Sequence, residues 1–247
     1  MIPDRYSSED RHMAETQRTR EFRRLRTPRS AAVAGIVFAV LFATSLVLLR
    51  TALPADPFDE TPWVGSGETR IKTALLLAPF AGIAFLWFIG VIRDRLGELE
   101  DRFFATVFLG SGLLFLAMGF ASMGVAGGVL AIARHSGSSA DEIVYFGREI
   151  MLQINHVYAL RMAAVFMISL GTIWLRTGLM PRWLVVTTYL LALALLVIVD
   201  FSLWSTLAFP AWVLLISVYI LVTGRRASAD GNRSLRFAPA SWRRSRR

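Results

Sequence analysis

The most regular feature of the chain is a succession of long apolar runs separated by short polar stretches. A helix of about twenty apolar residues crosses the roughly 30 Å hydrocarbon core of a membrane. Six segments have this length: Ala31–Leu49, Thr73–Ile92, Phe103–Ala133, His156–Leu175, Trp183–Leu203 and Ser205–Thr223. Because a backbone in lipid must satisfy its own hydrogen bonds, such runs predict helices. The pattern predicts an all-α polytopic membrane protein, a bundle of six transmembrane helices within residues 31–224.

The composition excludes the two soluble alternatives. Of the 247 residues, 55% are hydrophobic and 18% are charged, and the mean hydropathy is +0.51. A soluble domain has about 25% charged residues, and a disordered chain needs low hydrophobicity. There are no cysteines, which excludes disulfides, thiolate metal sites and cysteine nucleophiles.

The basic residues are divided unevenly between the two sides of the predicted bundle. Residues 1–30 and 225–247 carry eight arginines each, and the connections 93–102 and 176–182 add five more. The opposite side has five basic residues: Arg50, Arg70, Lys72, Arg134 and Arg148. Cytoplasmic segments carry an excess of Lys and Arg. The division predicts that both termini are cytoplasmic, which an even number of spans also requires.

Both terminal segments, 1–30 and 225–247, are predicted to be basic cytoplasmic tails. They mix arginines with aromatic residues such as Phe22 and Trp242. Basic segments of this kind bind anionic headgroups, at about 1 kcal/mol per basic residue near the surface. Nucleic-acid binding shares this composition, but no nucleic-acid-binding motif accompanies it. We therefore expect the lipid bilayer and anionic lipid headgroups as partners, and no nucleic acid.

Small residues recur at helical spacing in the first three segments. Ala31, Gly35, Ala39 and Ala43 follow each other at intervals of four, and the third segment has the stripe Ala117, Ala121, Gly124, Gly128 and Ala131. Small residues let helices in lipid approach closely. We expect these stripes to pack the bundle of a single chain, with a seam between two copies as the alternative.

The third segment is longer than one crossing requires, at about 46 Å. It must tilt, project from the membrane, or break near Gly124–Gly128. A broken helix would line a binding cavity, as in transporters. A projecting helix end is the simpler interpretation.

Two charged residues lie inside predicted spans, Arg161 and Asp200. Such residues are costly in lipid and are candidate functional sites. They lie about 22 and 26 Å from the cytoplasmic ends of neighbouring antiparallel spans. We therefore treat them as a candidate intramembrane charge pair. The alternative is that Arg161 extends to the interface and Asp200 already lies there.

A polar band precedes Arg161 in the sequence. It consists of Glu149, Gln153, Asn155, His156 and Tyr158. Glu149, Gln153 and His156 share one helical face, whereas Tyr158 lies on another, so the five form one cluster only with tertiary help. No metal-binding spacing accompanies the histidines and no catalytic motif occurs. We predict no metal, no cofactor and no catalytic residue.

The layout resembles that of uncharacterised six-span integral membrane proteins of actinobacteria. The resemblance rests on the six spans, the stretch Trp87–Gly97 and the hairpin Gly178–Leu184, and covers most of residues 31–224. These motifs set topology and carry no chemistry. The resemblance implies a multi-pass protein of a bacterial plasma membrane and supplies no activity.

Two functions from different classes are consistent with these features. The scarcity of polar groups inside the spans favours a non-enzymatic accessory, scaffolding or envelope-associated protein, acting with a membrane-complex partner or as a homo-oligomer. The alternative is a small oligomeric transporter or channel that uses Arg161, Asp200 and the Gly-rich third span. An enzyme acting on lipids is the third hypothesis.

Overall fold

The computed structural model describes residues 30–52, 67–96, 102–133, 138–197 and 205–236, and this part of the chain is helical apart from short turns. Its helices are α1 (Ser30–Ala52), α2 (Glu68–Leu96), α3 (Arg102–Ala133), α4 (Ser138–Gln153), α5 (Leu160–Thr177), α6 (Arg182–Val197) and α7 (Ala208–Arg236). A π-helical segment, Ile154–Ala159, joins α4 to α5, and a 3₁₀ turn, Ser205–Leu207, precedes α7.

The predicted fold class is confirmed: the chain is an all-α, multi-pass membrane protein. Within the described residues, five helices are long and apolar enough to cross a membrane, and a further apolar helix, α6, is shorter. Exposed apolar side chains cover the outside of the bundle, for example Leu76 and Trp87 on α2 and Leu190 on α6. Since lipid is as apolar as these side chains, this surface is suited to a bilayer and not to water.

The helices alternate in direction, so the bundle has two ends. One end carries the start of α1 and the ends of α5 and α7, and we call it the tail end. The other, the loop end, carries the end of α1 and the start of α2, where Arg70 Nη1 donates to the carbonyl oxygen of Thr51 at 3.0 Å. This bond satisfies a carbonyl that the end of α1 leaves without a helical partner.

The hairpin between α5 and α6 shows why the sequence turns where it does. Gly178 has a φ of 64° and its N–H donates to the carbonyl of Trp174 at 2.9 Å. This left-handed conformation favours glycine and closes the last turn of α5. Pro181 precedes α6, and its carbonyl accepts the N–H of Leu184 at 3.0 Å. The predicted hairpin is thus present in the structure.

The fourth span begins earlier than the predicted His156. A single apolar helical stretch covers Ile143–Thr177, and the helix continues from α4 through the π segment into α5. The third span, in turn, runs unbroken from Arg102 to Ala133. The loop ends of α3 and α4 pack side by side, because Gly147 leaves no Cβ to collide with the side chain of Val129. The long third segment therefore does not break at its glycines.

The described bounds of the last two helices differ from those of the predicted spans. In its described part α6 ends at Val197, and the predicted end of this span at Leu203 lies outside the described residues. At the tail end, α7 continues through Gly224 to Arg236. The predicted boundary between the last span and the C-terminal tail is therefore not the end of a helix.

Candidate functional site

The interior of the bundle is occupied by aromatic rings. Each of the five long spans contributes one phenylalanine to a cluster that we call the phenylalanine layer: Phe38, Phe85, Phe115, Phe166 and Phe209. Phe85 lies at its centre, with ring centroids 4.6 Å from Phe38, 5.5 Å from Phe115 and 5.4 Å from Phe166. All five side chains are buried.

The phenylalanine layer closes the middle of the bundle. Phe85 lies about 16 Å from the end of α2 and Phe166 about 16 Å from the end of α5, as judged by helical rise. Phe209 contacts the other four rings, at centroid distances of 6.1, 5.8, 4.6 and 5.9 Å. Rings at these separations are in favourable contact. A solute moving along the axis of the bundle would have to displace them.

A cavity beside this layer is correspondingly small. It measures about 10 Å³ and is lined by apolar groups, among them Phe42, Ala78 and Met123. That volume holds about one water molecule, and a water there would lack polar partners. The cavity is suited to neither a substrate nor an ion.

Several polar side chains in the interior bind one another or a backbone carbonyl, whereas the buried Ser217 Oγ has no hydrogen-bond partner among the described residues. Trp212 Nε1 donates to Thr188 Oγ1 at 3.0 Å, and Thr188 in turn donates to the carbonyl of Leu184 at 2.8 Å. The hydroxyls of Thr172 and Tyr189 lie 2.6 Å apart. These bonds tie the short α6 to α5 and α7, and they are structural because each group already has a partner.

The small-residue stripes of α1 and α3 differ in burial. On α1, Ala31, Gly35 and Ala39 are buried, as expected. On α3 every member of the stripe is exposed: Ala117, Ala121, Gly124, Gly128 and Ala131. The buried face of α3 carries larger residues, such as Phe115 and Met123. The expectation that the α3 stripe packs within one chain does not match this structure, and a seam between copies stays a prediction.

Arg161 of the candidate charge pair is the second residue of α5, and its side chain is half-buried. Its Nη1 donates to the carbonyl oxygen of Val157, one turn earlier, at 3.2 Å. Asp200 lies outside the described residues. The pairing of Arg161 with Asp200 therefore stays a prediction.

The polar band is dispersed around its helix. Glu149, Gln153 and Tyr158 are exposed, His156 is half-buried, and Asn155 is 9% exposed. The sequence prediction assumed a regular α-helix. In the π-helical turn each hydrogen bond spans one residue more than in an α-helix. The side chains after it therefore point in directions other than those of a regular α-helix.

A side chain from α3 contacts the helix just before the π segment. Ser122 Oγ, which is buried, donates to the carbonyl oxygen of Met151 at 3.1 Å. This contact lies where the regular α-helical repeat ends. The N–H of Leu160 instead donates to Asn155, five residues back, as in a π-helix.

The structure also shows a buried cation that the sequence interpretation had assigned to a loop. Arg148 of α4 is 6% exposed and pairs with Glu149 at 2.6 Å. Val144, four residues earlier, and Met151, three residues later, lie on the same buried face of the helix as Arg148. This spacing of four and three is visible in the sequence once the segment is drawn as a helix.

Comparison of this chain with protein-family models, with curated proteins and with solved structures gives no match. Its class, a multi-pass helical membrane protein, rests on its own fold.

Proposed function

We propose that the chain is a non-enzymatic accessory protein of a bacterial plasma membrane, which acts by holding a partner in a membrane complex. The observation that carries this proposal is the phenylalanine layer. It fills the middle of the bundle with buried rings, where a transporter would need polar groups along a path. An accessory protein needs only a stable interior and a lipid-facing surface.

The orientation belongs to the same proposal. Both termini are placed in the cytoplasm by the positive-inside rule, with the arginines of residues 1–30 and 225–247 against anionic headgroups. A reporter fused after Arg247 should be active only in its cytoplasmic form. Activity of an external reporter at this position would reject the orientation.

Reconstitution in liposomes tests the accessory role against the transporter alternative. Liposomes containing the purified chain should be no more permeable to protons, monovalent ions and small organic anions than empty liposomes. Protein-dependent flux that falls on Arg161→Gln would reject the proposal in favour of transport.

A second measurement detects the partner by photo-crosslinking. A photo-crosslinking residue placed at Ala121, on the exposed face of α3, should give one discrete product in native membranes. The same residue at Ala163, which is 0% exposed, serves as the control and should give none. Products at neither position, combined with flux, would contradict an accessory role.

A further inference from the structure

The helix α5 packs between two neighbours on the outside of the bundle. On one side lies α3, where the rings of Phe108 and Phe166 are stacked with their centroids 4.6 Å apart. On the other side lies α6, where the hydroxyls of Thr172 and Tyr189 are 2.6 Å apart. The part of α5 that faces outward between these two contacts therefore lies in a groove.

Three residues of α5 form the floor of this groove. Val165, Ile168 and Thr172 follow each other at intervals of three and four residues, so they share one face of the helix. Each is half-buried, as expected for a helix face flanked by two others. The hydroxyl of Thr172 already contacts Tyr189 and the carbonyl of Ile168, so the floor is apolar. The next residue on this face, Arg176, is exposed at the tail end.

A ring of α3 positions Arg176 at the end of the groove. The guanidinium carbon lies 4.6 Å from the centroid of the Phe104 ring, which is a cation–π contact. Stacking on a ring uses the flat side of the guanidinium, whereas its five N–H donors lie in its plane. The contact therefore fixes a positive charge and a planar set of donors where the groove meets the tail end.

The groove has the depth of one bilayer leaflet. By helical rise, Thr172, Ile168 and Val165 lie about 6, 12 and 16 Å from Arg176. One leaflet contributes half of the roughly 30 Å hydrocarbon core. An exposed arginine is costly inside the hydrocarbon, so Arg176 lies at the level of the headgroups. A lipid chain of the same leaflet then runs along the three floor residues.

The charge around the groove has one sign. The helices α3, α5 and α6 contain four arginines and no acidic residue. Arg176 and Arg182 are both exposed, one on each side of the turn between α5 and α6. A positive surface favours a headgroup with a net negative charge over a zwitterionic one.

We propose that this groove binds one anionic phospholipid, with its phosphate on Arg176 and an acyl chain along Thr172, Ile168 and Val165. The planar donors of a guanidinium match the oxygens of a phosphodiester. The apolar floor and the flanking helices cover the acyl chain. This site is distinct from the basic tails and does not depend on the accessory role.

Photo-crosslinking of the purified full chain in neutral detergent tests the site. The probe is phosphatidylglycerol with a photoreactive diazirine in the middle of one acyl chain, and mass spectrometry maps the attachment. We expect adducts at the floor of the groove, around Ile168. Headgroups bound only to the basic tails do not place the diazirine there. Unlabelled phosphatidylglycerol should compete at least about tenfold better than phosphatidylcholine of the same chain length, since a charge-assisted contact is at stake.

Charge removal is compared at matched positions of the tail end. Arg176→Gln should lower the adduct yield on α5 by about tenfold or more. Arg93→Gln removes the same charge from an exposed residue of α2 and should leave the yield unchanged. Phe104→Leu keeps Arg176 but removes the ring beneath it, and should lower the yield by about two- to fivefold. This variant also tests the site if Arg176→Gln does not fold.

Two tryptophan variants test the position of the acyl chain. Val165→Trp fills the groove and should abolish the adducts, although Arg176 is unchanged. Leu190→Trp places the same side chain on the exposed face of α6 and should have no effect. Adducts spread evenly over exposed residues of the bundle, or a yield that does not depend on Arg176, would overturn the proposal. A photoreactive residue at Ile168 that attaches in native membranes to a second copy or to another protein would overturn it as well.

Discussion

The helices α1 and α3 carry the same sequence pattern and use it in opposite ways. On α1 the small residues face the interior, and a Cβ at Gly35 would overlap Ser217 Oγ and lie 2.9 Å from the ring of Phe88. On α3 a Cβ at Gly124 or Gly128 would meet nothing within 4 Å. Small-residue spacing therefore identifies a helix face on which close approach is possible. It does not identify the face that the fold uses, because large residues such as Phe115 compete for the interior.

The contrast between interior and exposed faces is sharpest for aromatic residues on one helix. Phe85→Ala removes the central ring of the phenylalanine layer and should lower the free energy of unfolding by about 3–5 kcal/mol. Phe80 of the same helix is exposed, and Phe80→Ala should change it by less than about 0.5 kcal/mol. Unfolding in mixed micelles with increasing dodecyl sulfate measures both. Equal effects would mean that the layer does not hold the bundle together.

The same substitution at two glycines should have opposite signs. Gly35→Ala forces Ser217 or Phe88 to move, and overpacking of this kind costs about 1–3 kcal/mol. Gly124→Ala adds a methyl group in open space and should stabilise α3 by up to about 1 kcal/mol through helix propensity. The melting temperatures in detergent should shift down and up, respectively. A large loss at Gly124 would instead indicate a second copy packed on this face, and cross-linking between copies would then be expected.

Two neighbouring threonines of α6 extend the comparison to polar groups. Thr188→Val leaves the indole N–H of Trp212 buried without its acceptor, which should cost about 1–2 kcal/mol. Thr187 is exposed, and its hydroxyl donates to the carbonyl of Trp183 in its own helix. Thr187→Val should therefore be nearly neutral. Trp212 fluorescence should shift in the Thr188 variant alone, and a shift in both would contradict the assignment of this bond.

The smallest effect is expected from the candidate charge pair. If Arg161 and Asp200 interact, the effects of Arg161→Gln and Asp200→Asn on unfolding should not add, with a coupling of about 0.5–1 kcal/mol. Melting curves of the unaltered protein, both single variants and the double variant measure this coupling. Additive effects would remove the transporter alternative's best candidate site.

The sequence predicts the fold class because apolar segments of this length span a membrane, and their backbone groups must form hydrogen bonds within the protein. Few structures other than helices meet both conditions. The hairpin at Gly178 was equally predictable, since only one residue type tolerates its φ without strain. The start of the fourth span was not predictable from the sequence. The helix continues from α4 into α5 through the π segment, and just before that segment Ser122 of α3, more than twenty residues away, donates to the carbonyl of Met151. No local pattern contains that contact.

The candidate site was predicted less well for a related reason. Arg148 was counted as a loop cation because charge was used to set topology, whereas its burial follows from the register of α4 against α3. Depth along a helix can be calculated from the sequence, as for Arg161. The direction in which a side chain points depends on which helices are neighbours. The phenylalanine layer likewise draws one residue from each of five spans, a correspondence that no single span reveals.

Phe209 is the last of the five rings to be synthesised. Translation delivers α1 to α5 first, so four rings of the layer enter the membrane before the fifth exists. Because Phe209 contacts all four, the interior can close only when α7 joins the earlier helices. We therefore expect insertion and final folding to be separate events in the biosynthesis of this chain. A chain that stops after Trp204 should be inserted but cleaved by added protease faster than the complete protein. Equal resistance would show that the first helices fold without it.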